Sequence, residues 1–498
     1  MLPSLGIPPN PSRDIPTEIF PTGVPVMTPF AIYPLSSGDN VLSQINMVKE
    51  WLVEGLIDAD KLRGAIDRVV KKWPLLAGRV VTMANGKYGV WIPLGAELPS
   101  DYDAYGFSTS QSALPLSHFL PLPLPTLSKV PPRHLFVPAE RVRLVDLKDY
   151  AEKQAPITHW HITHFRQPGE REHTCIGVHY SHGLFDGLGF ALVIHAVQAE
   201  LAGKDWSVPP PPHEGHNENR FMTLMDEEVA KSSALPRPFT AFATVGPLGL
   251  IWCRFKTMWI SWKDGLDTWN FKIPYSTHMK LVAKTREEMK AIIADTDSDS
   301  VTHVSSGDVL AAWLAKSLFR DVKDPNRVIR VRSIASLRSL WGGELAQYPH
   351  NCVAHLPLPL FTAHDISTLP LWKLAAQLAE PRKLSRIPDA LRIHAAYESV
   401  AGKRNLHLLI HRPSVGEERL MISNVSIARI ADIDWRGAGG GRTVCHWKAG
   451  RIVPVAGITG VNGRLDNGDL VISITTTGRR ARALAQEVDR LTYEFDSE

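Results

Sequence analysis

Cysteine is scarce and scattered in this chain. Its four cysteines, Cys175, Cys253, Cys352 and Cys445, stand far apart with no C-x-x-C pair. That spacing implies neither a zinc site nor a disulfide framework and fits a reducing cytosol. Blocks of like charge are also missing. A net charge of +4 over 498 residues, with no Lys/Arg run, gives no reason to expect a nucleic-acid partner. No apolar run reaches the roughly 20 residues that a membrane-spanning helix needs. The most hydrophobic stretch, 239–253, is interrupted by Pro247. It is read as core or as a substrate-channel wall. The lesser alternative is an interfacial membrane contact of segment 239–262 through Trp252, Trp259 and Trp262. The first thirty residues lack a basic n-region and an apolar h-region, so no secretory signal is read and a cytoplasmic protein is expected. No short repeat appears, and the length suits two or three domains or two lobes of one enzyme.

What the chain does have is concentrated in residues 179–187, His-Tyr-Ser-His-Gly-Leu-Phe-Asp-Gly. The residues before them, 173–180, are β-branched and apolar like a strand, and 188–200 place apolar residues at helical spacing. His182 thus sits where a strand turns into a helix, with Gly183 and Gly187 easing the turn. Imidazole titrates near neutrality, so a histidine fixed there can take a proton from a hydroxyl. Asp186 can either bond that ring or pair with a distant arginine.

Other segments supply the scaffold. Residues 58–73 predict a helix with Leu62, Ile66, Val69 and Trp73 on one face, stopped by Pro74. Residues 156–165 and 173–180 predict a hairpin. There His159 and His161 share a face, but no third ligand accompanies them and no metal site is read. The proline-rich stretch 111–138 predicts an extended connection, and Ser207–His213 predicts a stiff linker. Helices are expected over 285–293, 305–319 and 479–493, and strands over 328–335 and 470–476. The division expected is 1–205 as an N-terminal lobe, 206–275 as crossover and apolar insert, and 276–498 as a C-terminal lobe.

The pattern His182-x-x-x-Asp186-Gly187 resembles the signature of the chloramphenicol-acetyltransferase-like acyltransferases. Further segments resemble the plant and fungal BAHD branch of that superfamily, in order along the chain. They are Leu35-Ser-Ser-Gly-Asp-Asn40, Trp73-Pro-Leu-Leu-Ala-Gly-Arg79, Ser305 to Trp313, Ser336-Leu-Arg338, Tyr348-Pro-His-Asn351, and Ser423-Asn424 followed by Asp432-Ile-Asp-Trp-Arg436. The last departs from the family's D-F-G-W-G. Asp434 and Arg436 replace both glycines, and a glycine-rich run follows. This puts loop geometry and donor preference in doubt.

The resemblance implies an α/β (α+β) protein of two lobes, each a mixed sheet flanked by helices, with a central solvent channel. It implies acyl transfer, acetyl by default, from acyl-CoA as co-substrate to the hydroxyl of an apolar secondary metabolite such as a terpenoid or polyketide. His182 is then the general base, and Asp186 with Arg338 a structural ion pair. Asp432 and Trp435 hold a loop, and no metal takes part. Asn424, a backbone N–H near it, or Trp435 are candidate oxyanion donors. Arg442, Lys448 and Arg451 are candidate phosphate contacts. Trp160, Phe185 and residues 114–125 are candidates for an apolar acceptor pocket. One chain encloses the whole channel, so a monomer is expected. Two alternatives stay open: a free-standing condensation-type enzyme using carrier-bound acyl donors, where Ser181 stands in place of that group's first histidine, and a scaffold that binds or cyclises without transfer.

Overall fold

The structure, a computed structural model, describes residues 29–95, 98–231, 243–294, 303–356, 359–382, 387–400, 407–409, 417–449 and 455–497. Among these residues two large mixed sheets carry the two lobes. The N-terminal sheet runs in the order Thr443–Ala449, Asn46–Glu54, His173–Ser181, His159–Phe165, Gly106–Gln111. The C-terminal sheet runs Val353–Leu356, Val328–Ser336, Glu417–Asn424, Ile458–Arg464, Leu470–Thr477, Leu266–Ile273, Leu127–Lys129. Each sheet takes one strand from the other half of the sequence. Thr443–Ala449 closes on Asn46–Glu54 in the first, and Leu127–Lys129 closes on Leu266–Ile273 in the second. This exchange ties the lobes through backbone hydrogen bonds as well as side-chain packing.

The helices follow their sequence signals. Ala59–Lys72 buries Leu62, Ala65, Ile66, Val69 and Val70, starts on an Asp58 cap and ends in lysines; an acid at the start and cations at the end both favour a helix. It packs against Gly187–Leu201 on the N-terminal sheet. Ser306–Phe319 begins at a capping box in which Ser305 and Asp308 satisfy each other's backbone. It covers the C-terminal sheet beside Gly478–Ser497 and Leu371–Ala379. Each lobe has its own apolar core, around Trp51, Trp160 and Phe190 in one and Trp313, Ile472 and Leu484 in the other.

Three expectations change. The helix read over 285–293 begins earlier and runs Tyr275–Ala294, because Leu281 and Val282 also turn inward and extend the buried face. The proline-rich stretch 111–138 contains the strand Leu127–Lys129, which pairs at a sheet edge, where missing N–H groups matter least. Of the segment 239–253, read as core or channel wall, 239–242 lie outside the described residues, Ala243–Val245 form a short strand, and the rest opens a surface helix, Pro247–Asp264, on which Leu248, Ile251, Trp252, Phe255, Met258, Trp259 and Trp262 are exposed. Pro247 occupies its first turn, the one place where a helix tolerates proline, so the residue expected to interrupt the run instead starts it.

Helix Gly187–Leu201 meets the other lobe at close range. A Cβ built on Gly189 would lie 1.7 Å from the carbonyl oxygen of Pro349, a backbone atom that cannot swing away. Gly189→Ala should therefore lower stability by roughly 1–3 kcal/mol, read as an earlier urea midpoint, whereas Gly64→Ala, inside helix Ala59–Lys72 with only the Arg68 side chain near it at 3.5 Å, should not lower it.

Candidate active site

The strand His173–Ser181 ends one residue before His182. The backbone N–H of His182 donates to Ile45 O at 2.7 Å and its carbonyl accepts from Asn351 Nδ2 at 2.7 Å. Both sides of the residue are thus pinned, one by each lobe. The half-buried imidazole lines a cavity of about 940 Å³ whose walls come from both lobes, among them Met47, Gly307, Ser333, Asn424, Lys448 and Thr459. Burial, and then the Lys448 ammonium, push the His182 imidazole down to about 4. At neutral pH the ring is therefore uncharged and able to accept a proton.

Asp186 points elsewhere. Its carboxylate receives Arg338 Nη1 and Nη2, each at 2.8 Å, in a two-point contact. It also receives the N–H groups of Leu188, Gly189 and Cys352 at 3.1, 2.7 and 3.1 Å. Asp186 is thus the N-cap of helix Gly187–Leu201 and the anchor of the opposite lobe at once. Burial pushes its pKa up, but Arg338 and the surrounding donors outweigh that and hold it below the usual carboxylate value. Arg338 spends its remaining donors on the carbonyls of Tyr348 and His350. Gly187 lets the chain after Asn424 approach, since a Cβ there would meet Val425 Cγ1 at 2.7 Å.

A second set of residues supports the same turn, and the sequence reading did not single them out as site residues. Asp39 accepts from Ser36 N and Oγ on one oxygen and from Asn351 N and Nδ2 on the other, at 2.6 to 2.9 Å. Asn351 therefore bridges Asp39 to the His182 carbonyl, and His350 Nδ1 bonds Leu184 O at 2.6 Å. The signal was present in the motif segments 35–40 and 348–351, but the pairing of residues 312 positions apart leaves no local trace.

The other candidates separate. Asn424 lines the cavity; its Oδ1 is held by Ser426 N and Oγ, which turns its Nδ2 donors outward from that turn. Trp435 is 0% exposed and packs edge-on against Trp51 with ring centroids 5.8 Å apart. It does not line the cavity, so its indole N–H is out of reach of a reacting carbonyl. Asp432 pairs with Arg429 at 2.6 Å. The replacements for the two expected glycines, Asp434 and Arg436, pair with each other at 2.7 Å, and Trp51 Nε1 holds Ile430 O at 2.6 Å. The altered loop is thus closed by its own ion pair.

Arg442 is bound to Glu54 at 2.8 Å on the surface and does not line the cavity. Lys448 does, opposite Lys49 on the neighbouring strand, so it stands near the imidazole. Arg451 lies outside the described residues. Trp160 and Phe185 are core residues at 1% and 0% exposure. The apolar wall is supplied instead by residues such as Leu42, Ile45, Met47 and Val331, and segment 114–125 takes no part. Among the described residues no three His, Cys, Asp or Glu side chains converge as a metal site would require.

Removing one partner of the central ion pair strands a buried charge. Asp186→Ala should cost about 3–5 kcal/mol of folding stability, measured by urea denaturation. Asp186→Ala combined with Arg338→Met, which leaves no orphan charge, should recover part of that loss.

No family model matches the chain. The acetyltransferase adrJ of Penicillium roqueforti is 23% identical over 408 residues, which cover 77% of each chain. Of solved structures, F. sporotrichioides TRI101, complexed with coenzyme A and T-2, superposes with a TM-score of 0.61 at 14% identity over 91% of this chain and 96% of that one. The first condensation domain of the calcium-dependent antibiotic synthetase matches with a TM-score of 0.54 at 13% identity over 93% of this chain and 96% of that one, so the two-lobed fold is common to both classes. With this fold, this motif set and a curated fungal acetyltransferase as relative, the chain is an acyltransferase with the two-lobed fold that TRI101 has.

Proposed function

We propose that the protein transfers an acetyl group from acetyl-CoA to a hydroxyl of an apolar secondary metabolite, with His182 as general base and both substrates bound together. The observation that carries this reading is an uncharged imidazole lining a cavity shared by both lobes. It is supported by a relative named as an acetyltransferase and by a structural neighbour that holds coenzyme A together with T-2.

The chemistry balances on His182. The ring takes the proton of the acceptor hydroxyl as its oxygen forms a bond to the thioester carbonyl carbon. The tetrahedral oxyanion then collapses, the carbon–sulfur bond breaks, and the imidazolium returns the proton to the leaving thiolate as CoA-SH. Proton transfer of this kind contributes about 10²–10⁴-fold, and holding two substrates in one cavity adds to it by proximity. Asn424 Nδ2 and the Lys448 ammonium are donors on the cavity wall suited to the oxyanion. The lobe division 1–205, 206–275 and 276–498 belongs to the same proposal, with the two exchanged strands crossing it.

His182→Ala should reduce turnover of an apolar alcohol with acetyl-CoA by roughly 10²–10⁴-fold, followed by mass spectrometry of the ester. Wild-type activity on carrier-bound acyl groups but not on acetyl-CoA would instead favour a condensation-type enzyme.

The pH dependence follows from the lowered imidazole. A base that titrates at about 4 is neutral above that value, so kcat/KM should fall on the acid side only near pH 4. Lys448→Met removes a cation that disfavours imidazolium, and the acid limb should then move to higher pH. A raised KM for acetyl-CoA with an unmoved limb would assign Lys448 to the CoA phosphates instead.

A further inference from the structure

Helix Pro247–Asp264 exposes a continuous apolar stripe. Leu248, Ile251, Trp252, Phe255, Met258, Trp259 and Trp262 are between 51% and 82% exposed. Their spacing of three, four and seven places them within an arc of roughly 120° on one side of the helix. Isolated exposed apolar residues need no explanation, but a contiguous stripe of seven on one helix marks an interaction surface.

The composition of the helix selects the occupant. Its 18 residues contain Arg254, Lys256 and Lys263 against a single acid, Asp264. The stripe is rich in tryptophan, whose indole suits the boundary between acyl chains and headgroups. A second copy laid on the same face would bring cations toward cations, whereas an anionic lipid surface complements them. The helix does not have the length and apolarity to cross a bilayer, so it would lie in the interface plane.

Its position gives the contact a purpose. The helix ends at Gly265, and Ser261 Oγ ties its last turn to Leu266 O at 3.0 Å. Asp267 and Thr268, the next residues, line the 940 Å³ cavity, and Asp267 forms an ion pair with the exposed Lys129, also a lining residue. The stripe therefore adjoins the rim of the cavity.

We propose that Pro247–Asp264 is an interfacial helix that docks the protein on an anionic lipid surface with the cavity rim beside the bilayer, so that an apolar acceptor enters from lipid. The consequence for the acceptor rests on the acyltransfer reading; the docking itself does not.

The test is sedimentation of the intact protein with vesicles of phosphatidylcholine alone and of phosphatidylcholine with phosphatidylserine. Binding should be stronger to the anionic vesicles and weaken with salt. The triple variant Trp252→Glu, Trp259→Glu, Trp262→Glu should lower the partition coefficient at least roughly tenfold. Its thermal unfolding should stay unchanged, since these side chains are exposed. Wild-type protein that stays in the supernatant with both vesicles, or a triple variant that binds equally, overturns the proposal. So does a dimer seen by light scattering that the variant abolishes, which would assign the stripe to a second copy. No turnover is read, so failure of docking leaves the acyltransfer reading intact, and absence of acyl transfer leaves the vesicle result intact.

Discussion

The two-point contact between Arg338 and Asp186 fixes where everything else in the centre of the molecule can stand. Asp186 terminates the turn that carries His182, caps the helix Gly187–Leu201 and accepts an amide from Cys352 of the other lobe. Arg338 adds the carbonyls of Tyr348 and His350. A buried ion pair of this sort contributes little net stability compared with an apolar replacement, because desolvation offsets most of the Coulomb gain. Its effect is on position: with every carboxylate and guanidinium bond directional, the lobes have one register. The imidazole then inherits a place on the cavity wall from a contact it does not itself make.

The electrostatics of the cavity follow from the exchanged strand. Thr443–Ala449 pairs with Asn46–Glu54 and sets Lys448 opposite Lys49. Burial pushes both ammonium groups down, Lys448 adds to that effect on Lys49, and both lysines disfavour a charged His182. Burial first, and Lys448 beside it second, keep His182 neutral well below its ordinary range. Arg442, six residues earlier on the same strand's approach, is instead taken up by Glu54 at the surface.

Much of the scaffold was legible because local rules are strong where they agree. The helix from Ala59 starts at an acid, ends in lysines and keeps one apolar face. The hairpin 159–181 alternates around a turn, and Ser305 announces a capping box. Legibility failed where a segment's partner lay elsewhere in the chain. The apolar run at 247–262 has the hydrophobicity of a core helix, and only the completed sheets show that nothing among the described residues covers its stripe. Trp435 carries a donor suited to an oxyanion, yet packing against Trp51 takes it out of the cavity.

By itself, the sequence determined the strand-turn-helix around His182, the presence of an Asp and an Arg suited to pair, and the resemblance to two-lobed acyltransferases. These are properties of short windows, in which spacing and side-chain chemistry suffice. Only the tertiary structure decided that Asp186 faces Arg338 and not the imidazole, that Asp39 and Asn351 pin the turn, and that Lys448 stands inside the cavity. Those outcomes depend on atoms brought together across hundreds of residues, and the directionality of buried hydrogen bonds and the cost of an unpaired buried charge select among arrangements that the linear chain leaves equivalent.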